Sequence, residues 1–400
     1  MTMPVLDLDQ PLRLHPLTFL EEGDEVTAGR ADISSFGLFP ADGAALLRRL
    51  AAGSSPNEAA RWYSEHYGER VDVAEFLEIL DDLQLIVGDG QTVPPPPRIR
   101  WQRLSRAVFS PTAWTCYGLL VGAAVVAMIR QPYLVPTYRH LFFTRSSLVL
   151  LTLGIVLGQA PWLLLHEAYH ALAGRRLGLN STLRIRRRFY YVVFETSLDG
   201  LVAVPRRKRY LPMLAGMILD LLAIAGLTLG AAALHSATGA GALCYRLLLS
   251  MAFGVVLRLS WQFYFFLRTD LYYLATTVLG CNDLQATARQ VLRARVRRLL
   301  GQRGPLAVET TSSARELSIA RWYSWLLVAG YAFLTVMLVT AAFPVAVRLT
   351  EMAYHELIVA SSPLRAADAL VFLVLNFWEP ALALFLATRV LRRKRRLTTA

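Results

Sequence analysis

The 400-residue chain is short of charge, of lysine and of cysteine. Charged residues make up 18%, against about a quarter in an average soluble domain. With 55% hydrophobic residues and a mean hydropathy of +0.40, that shortage excludes an ordinary soluble enzyme. The three cysteines, Cys116, Cys244 and Cys281, are odd in number and two lie in apolar runs, which excludes a disulfide framework and a cysteine-rich zinc site. Only 2 of the 42 basic residues are lysine, a bias that points to a GC-rich bacterial genome. Residues 1–20 lack a basic start followed by a long apolar run, so no secretory signal is expected. No base-stacking or helix-turn-helix pattern accompanies the arginines, and no nucleic acid partner is expected.

The net charge of +13 is uneven: residues 1–90 carry 17 acids and 6 basic residues, residues 91–400 carry 12 and 36. The contrast predicts an acidic soluble domain (1–90), a proline-rich linker with a basic interfacial segment (91–111) and a basic membrane domain (112–400). Within the first, Leu12–Phe19, Glu25–Arg30 and Ile33–Phe39 read as short strands. Three helices follow, starting at Asp42, after Ser55 and after Asp72. Ser55/Glu58 and Asp72/Glu75 have capping-box spacing. Pro94–Pro97 reads as a stiff spacer, and the arginines around Trp101 suit a headgroup layer.

Several apolar runs reach the 18 or more residues needed to cross a hydrocarbon core of ~30 Å. Six spans are expected: Ala113–Ile129, Leu148–Leu172, Leu211–Leu234, Ala242–Leu267, Trp322–Val345 and Ala367–Leu386. The fold class is therefore mainly α, a six-span membrane protein with a small α+β, winged-helix-like N-terminal domain. Arginine clusters at 175–188, 206–209, 289–303 and 389–396 place both termini in the cytoplasm of a bacterial inner membrane.

The chemistry concentrates at the end of the second span, in His166-Glu167-Ala168-Tyr169-His170. Histidines at i and i+4 share a helical face and suit one Zn²⁺, and the glutamate beside them suits proton transfer from water to a leaving amine. Two imidazoles and a carboxylate in an apolar segment are costly without such a partner. Zinc needs a third protein ligand. Asp220, inside the third span, is a functional candidate by its depth alone, as a ligand or as a group that orients a ligand histidine. Glu195 and Asp199, in the connecting loop, are the remaining ligand candidates, although loop carboxylates are usually just solvated. Arg246, Arg258, Gln262, Asn376 and Glu379 lie within spans; pairing between helices and lining of a water path both account for them.

The motif and its surroundings resemble the site-2-protease superfamily of intramembrane zinc metallopeptidases. The stretch His166-Glu-Ala-Tyr-His-Ala-Leu-Ala-Gly-Arg-Arg-Leu-Gly178 is similar to that family's helix and its polar exit. Pro205-Arg-Arg-Lys-Arg-Tyr-Leu-Pro-Met-Leu-Ala-Gly216 is similar to the start of its next span. The likeness covers roughly residues 147–290 and is strongest to the bacterial peptide zinc metalloprotease branch. It implies Asp270 as third zinc ligand and Glu167 as catalytic residue; Asp220, singled out by its depth, is the second candidate. The family's Asn and Pro before the aspartate are absent here, and Leu271 stands where it has Gly.

The order of three strands and three helices, with Ser34-Ser-Phe-Gly-Leu-Phe-Pro40 leading into Asp42-Gly-Ala-Ala-Leu-Leu, resembles the PqqD-like recognition domain of ribosomally made, modified peptides (RiPPs). That resemblance implies that a leader peptide adds as a strand beside the sheet, with Phe36, Leu38, Leu80 and Leu83 contributing. Plain core packing is the alternative for these four. Residues 181–204 carry strand-like pieces, Tyr190–Phe194 and Leu201–Val204, that suit either docking of an extended peptide or filling of space under the spans.

The expected function is a zinc-dependent membrane endopeptidase that matures a peptide or precursor peptide recruited by the N-terminal domain. Its expected partners are that peptide, the lipid bilayer and biosynthetic or export proteins. The alternative is a non-catalytic peptide-binding or export module in the membrane. A secondary transporter is disfavoured because no inverted repeat is apparent.

Overall fold

A computed structural model describes residues 7–22, 25–33, 35–88, 99–144, 147–188, 191–198, 200–281, 283–301, 314–359 and 362–398. The Pro94–Pro97 spacer and Asp199 lie outside the described residues, as do the side chains of Glu195 and Glu379. The described chain is mainly helical, with a small antiparallel sheet near its N-terminus. It divides into two compact units. One combines residues 1–110 with 168–184 and 196–212; the other holds 111–167, 185–195 and 213–400.

In the first unit, β1 (Thr18–Glu22), β2 (Glu25–Arg30) and β3 (Ser35–Pro40) form an antiparallel sheet with β2 at its centre. The expected first strand, Leu12–Phe19, divides between two partners. Thr18 and Phe19 pair with β2. Residues 13–15 instead meet the chain beyond the third helix, through a bridge from Leu14 to Ile86 and bonds from His15 N–H to the Leu85 carbonyl and from Val87 N–H to the Arg13 carbonyl. Backbone donors in an apolar setting must be paired, and residues 85–87 supply the partners.

Three helices cover the sheet: α1 (Ala41–Ala51), α2 (Pro56–Tyr67) and α3 (Val73–Asp82). Ser55 and Glu58 make the reciprocal capping box at the start of α2, and Gly68 ends it in the left-handed region at φ 74°. Asp72 caps α3 by accepting the N–H groups of Ala74 and Glu75 at 3.0 and 3.1 Å. The core is Val26, Ala28 and Phe39 from the sheet with Leu46, Leu47, Leu50, Ala59, Leu77, Leu80 and Leu85. Trp101 precedes α4 (Gln102–Val108) with 63% of its surface exposed.

Among the described residues, five helices are long and apolar enough to cross a membrane. They are α5 (Pro111–Arg130), α6 (Leu148–Arg176), α7 (Arg206–Ala233), α8 (Ala240–Trp261) and a continuous helix over Arg315–Val359. The last comprises α11 (Ala314–Met337), a π-helical step at Leu338–Ala342 and α12 (Phe343–Val359). The expected sixth span, Ala367–Leu386, falls inside α13 (Pro363–Thr398), where many side chains lie outside the described residues.

Between α6 and α7, β4 (Thr182–Arg188) and β5 (Tyr191–Ser197) form a two-stranded sheet. Leu201–Ala203 is a 3₁₀ turn, not a strand. Gly200 enters it at φ 82°, and the Arg209 guanidinium holds the carbonyls of Val202 and Val204.

The expected fourth span also ends early. Helix α8 stops at Trp261 instead of Leu267, and a new helix, α9 (Asp270–Leu279), begins after a turn. Polar side chains cause the break. The Gln262 side-chain oxygen accepts the Asp270 N–H at 3.0 Å, and the Thr269 hydroxyl donates to the Gln262 carbonyl at 2.7 Å. Arg268 turns the chain at φ 57°. Helix α10 (Leu284–Leu299) follows and packs its Leu284, Ala288 and Val291 against Ala320, Tyr323 and Leu327 of α11.

Candidate metal centre

Helix α6 has 29 residues. At 1.5 Å per residue it is about 44 Å long, more than a bilayer core of ~30 Å requires. His166 sits about 27 Å from its start and His170 about one turn further, near one end of a span. Both side chains are buried, at 3% and 6% exposure, although their neighbours Leu163, Leu164 and Leu165 are exposed. The buried pair therefore faces protein, and the leucines lie on the exposed side of α6.

Among the described residues, His166, His170 and Asp270 form a group whose ligand atoms all lie within 4.8 Å of one another. The break after α8 makes this possible, since it sets Asp270 at the first position of α9. The Asp270 carboxylate lies 3.3 Å from His166 Nε2 and is about a quarter exposed. Glu167 is half-buried on the same turn of α6.

The other nitrogen of each histidine is already engaged. His166 Nδ1 lies 3.0 Å from Asp220 Oδ2, and His170 Nδ1 lies 2.7 Å from the Pro212 carbonyl. A carbonyl only accepts, so His170 Nδ1 carries the hydrogen; a carboxylate imposes the same on His166. In its neutral form each ring presents its Nε2 lone pair as a ligand, the arrangement that metal-binding histidines adopt. The donor set thus fits a divalent metal: two imidazole nitrogens and one carboxylate, with outer partners fixing both rings.

Asp220 is fully buried and takes a different place from Asp270. The Arg258 guanidinium approaches Oδ1 at 2.5 and 3.1 Å and Oδ2 at 3.3 Å. Both carboxylate oxygens are thereby engaged, one by Arg258 alone and the other by Arg258 and His166. Asp220 stands outside the group of possible ligands.

The four residues expected to meet a peptide are not alike. Leu80 is fully buried in the core, and Leu83 packs against it, with Phe36 half-buried. Leu38 is 52% exposed on β3, an edge strand of the sheet. Ser35 ties β3 to the end of α3 by donating its hydroxyl to the Leu83 carbonyl at 2.7 Å.

Three contributors carry no side-chain signature of metal chemistry in the sequence. The Pro212 partner is a main-chain carbonyl. Gln262 acts on the Asp270 backbone. Gln285, only 1% exposed, braces the turn by donating to the Phe266 carbonyl at 2.8 Å and accepting from Arg268 Nε. A polar residue inside an apolar run is the available signal, and it flags Gln262 without saying what it binds.

The chain matches no family model, and comparison with curated proteins and with solved structures likewise gives no match.

Proposed function

We propose that the protein is a zinc-dependent membrane endopeptidase that cleaves a peptide or precursor peptide recruited by its N-terminal domain. The observation that carries this reading is the convergence of His166, His170 and Asp270, with both histidines held by their far nitrogens and Glu167 beside them. His166, His170 and Asp270 hold the metal. Bound zinc supplies a Lewis acid that acidifies water and polarises a carbonyl. Glu167 accepts a proton from the attacking water and delivers it to the leaving amine. Asp220 and the Pro212 carbonyl keep the two imidazoles in their ligating orientation. The surrounding apolar helices limit water access, which strengthens each electrostatic interaction at the site.

In this reading the metal end of α6 faces the cytoplasm of a bacterial inner membrane, together with both termini, in accord with the arginine clusters. The N-terminal domain offers the β3 edge, with Leu38 exposed, to an extended peptide. Main-chain bonding along that edge supplies affinity and the exposed side chains supply selectivity.

The test compares detergent-purified, zinc-loaded wild type with Glu167→Gln on a library of extended peptides, reading new N-termini by mass spectrometry. Wild type cleaves. Glu167→Gln keeps its zinc and loses about 10²- to 10⁴-fold in rate, the usual contribution of a positioned acid–base group. Equal cleavage by the variant overturns the role of Glu167. A zinc-loaded wild type that cleaves nothing favours the non-catalytic peptide-binding module.

A further inference from the structure

The geometry points to Arg258 as a positioning residue for the metal centre, acting on His166 through Asp220. The inference rests on the metal-centre reading above and goes past it, since Arg258 touches no ligand atom of the group.

A carboxylate fully buried among apolar helices needs a compensating charge. Arg258 supplies it with two donors of one planar fork, Nε and a terminal nitrogen, at 2.5 to 3.3 Å from the Asp220 oxygens. A fork of this kind fixes the plane of a carboxylate as well as its charge. Asp220 Oδ2 is then set 3.0 Å from His166 Nδ1, and His166 Nε2 is turned toward Asp270 at 3.3 Å. The sequence of contacts runs through α8, α7, α6 and α9. Arg258 is 17% exposed along its side chain and Asp220 is not exposed at all, so the carboxylate end of these contacts is shielded from water.

Apolar packing flanks the relay. Trp162, Ala223 and Val255 belong to one apolar cluster. They lie one helical turn from His166, Asp220 and Arg258 respectively, on the same faces of α6, α7 and α8. The three helices are clamped beside the polar contacts. A simple structural ion pair would need only Arg258 and Asp220; here the second carboxylate oxygen is spent on a histidine whose other nitrogen faces the metal position. Lysine would restore the charge and lose the fork.

The test uses the full chain in detergent, stripped of metal and titrated with zinc against a chromophoric chelator. Cobalt(II) is added in parallel, because its visible spectrum reports ligand geometry. Arg258→Gln weakens zinc binding about 10- to 100-fold, the usual effect of losing an outer partner of a metal-ligating histidine, and shifts the cobalt bands. Asp220→Asn does the same. The double variant is no weaker than the weaker single one, because the pair acts as a unit. Arg258→Lys, which keeps the buried charge and so guards against misfolding, falls between wild type and Arg258→Gln. Wild-type zinc affinity and an unshifted cobalt spectrum in Arg258→Gln overturn the inference, whatever happens to its melting temperature. Additive losses in the double variant overturn it too. A wild type that binds neither metal overturns the metal-centre reading itself, and the relay with it.

Discussion

Gln285→Leu tests whether the turn that presents Asp270 is held from a distance. Gln285 lies 15 positions after Asp270 in the sequence. Its side chain donates to the Phe266 carbonyl at 2.8 Å and accepts from Arg268 Nε, while its own N–H meets the Tyr272 hydroxyl at 3.0 Å. Leucine keeps the backbone bond and removes the other two. A neutral bond contributes about 0.5–1.5 kcal/mol and one to a charged group about 1.5–3 kcal/mol. The Phe266 carbonyl is also left in a buried setting, and added apolar burial offsets about 1 kcal/mol. The net loss is about 2–3 kcal/mol. Arg268 stands at φ 57°, a left-handed conformation unfavourable for a side chain of this kind, and depends on such contacts to stay there. Its ion pair with Asp283 at 2.9 Å is more than a third exposed at both ends and does not replace them. Freed, the turn moves Asp270 two residues on. The assay is thermal unfolding in micelles together with zinc competition, with exposed Gln290→Leu on the same helix as control. The expected result is a lower melting temperature and at least roughly tenfold weaker zinc binding for Gln285→Leu, with the control unchanged. Wild-type behaviour of Gln285→Leu in both assays refutes the bracing role.

Two further outcomes concern the N-terminal domain. Leu80→Ala empties a fully buried core position and costs about 2–5 kcal/mol. Leu38→Ser, at a half-exposed edge position, costs under about 0.5 kcal/mol and lowers peptide capture instead; proteolysis and peptide pull-down on the full chain separate the two. The pH dependence of this domain follows from one bond. The Tyr63 hydroxyl donates to Asp42, holding that carboxyl below its ordinary value, and the same bond with burial pushes the Tyr63 phenol up to about 12. A depressed carboxyl stabilises above its unfolded value of about 4 and loses that contribution as pH falls through the folded one. A raised phenol stabilises below its unfolded value of about 10 and loses the contribution as pH climbs toward the folded one. Protease cleavage within residues 41–67 therefore increases at both extremes, and Tyr63→Phe flattens both limbs. A variant with the wild-type profile contradicts this assignment.

What was legible in the sequence is what depends on short-range periodicity. The i, i+4 histidines of α6, the Ser55 cap of α2 and the amphipathic core of α3 are local patterns, and the helices express them directly. Asp270 became visible through its place in a family-like stretch, not through periodicity. The break between Gln262 and Thr269 was not legible, because Phe263-Tyr-Phe-Phe-Leu267 is as apolar as a continuing span. Hydrogen bonds from Gln262 and Thr269 decide the local geometry there. The pairing of residues 13–15 with 85–87 was hidden for a related reason, since strand propensity does not name a partner some seventy residues away. The Pro212 carbonyl was invisible in principle: every residue has one, and only the packing of α7 against His170 makes it an orienting group. Arg258 was readable as a buried charge seeking an acid, and its choice of Asp220 needed the three-helix arrangement.

The central claim is a metal held by His166, His170 and Asp270. Elemental analysis of detergent-purified protein, wild type against His170→Ala, tests it most directly. Wild type is expected to hold about one zinc per chain, and the variant to lose it with the helical spectrum retained. Wild type that holds no zinc after reconstitution, or a variant that holds as much as wild type, contradicts the account.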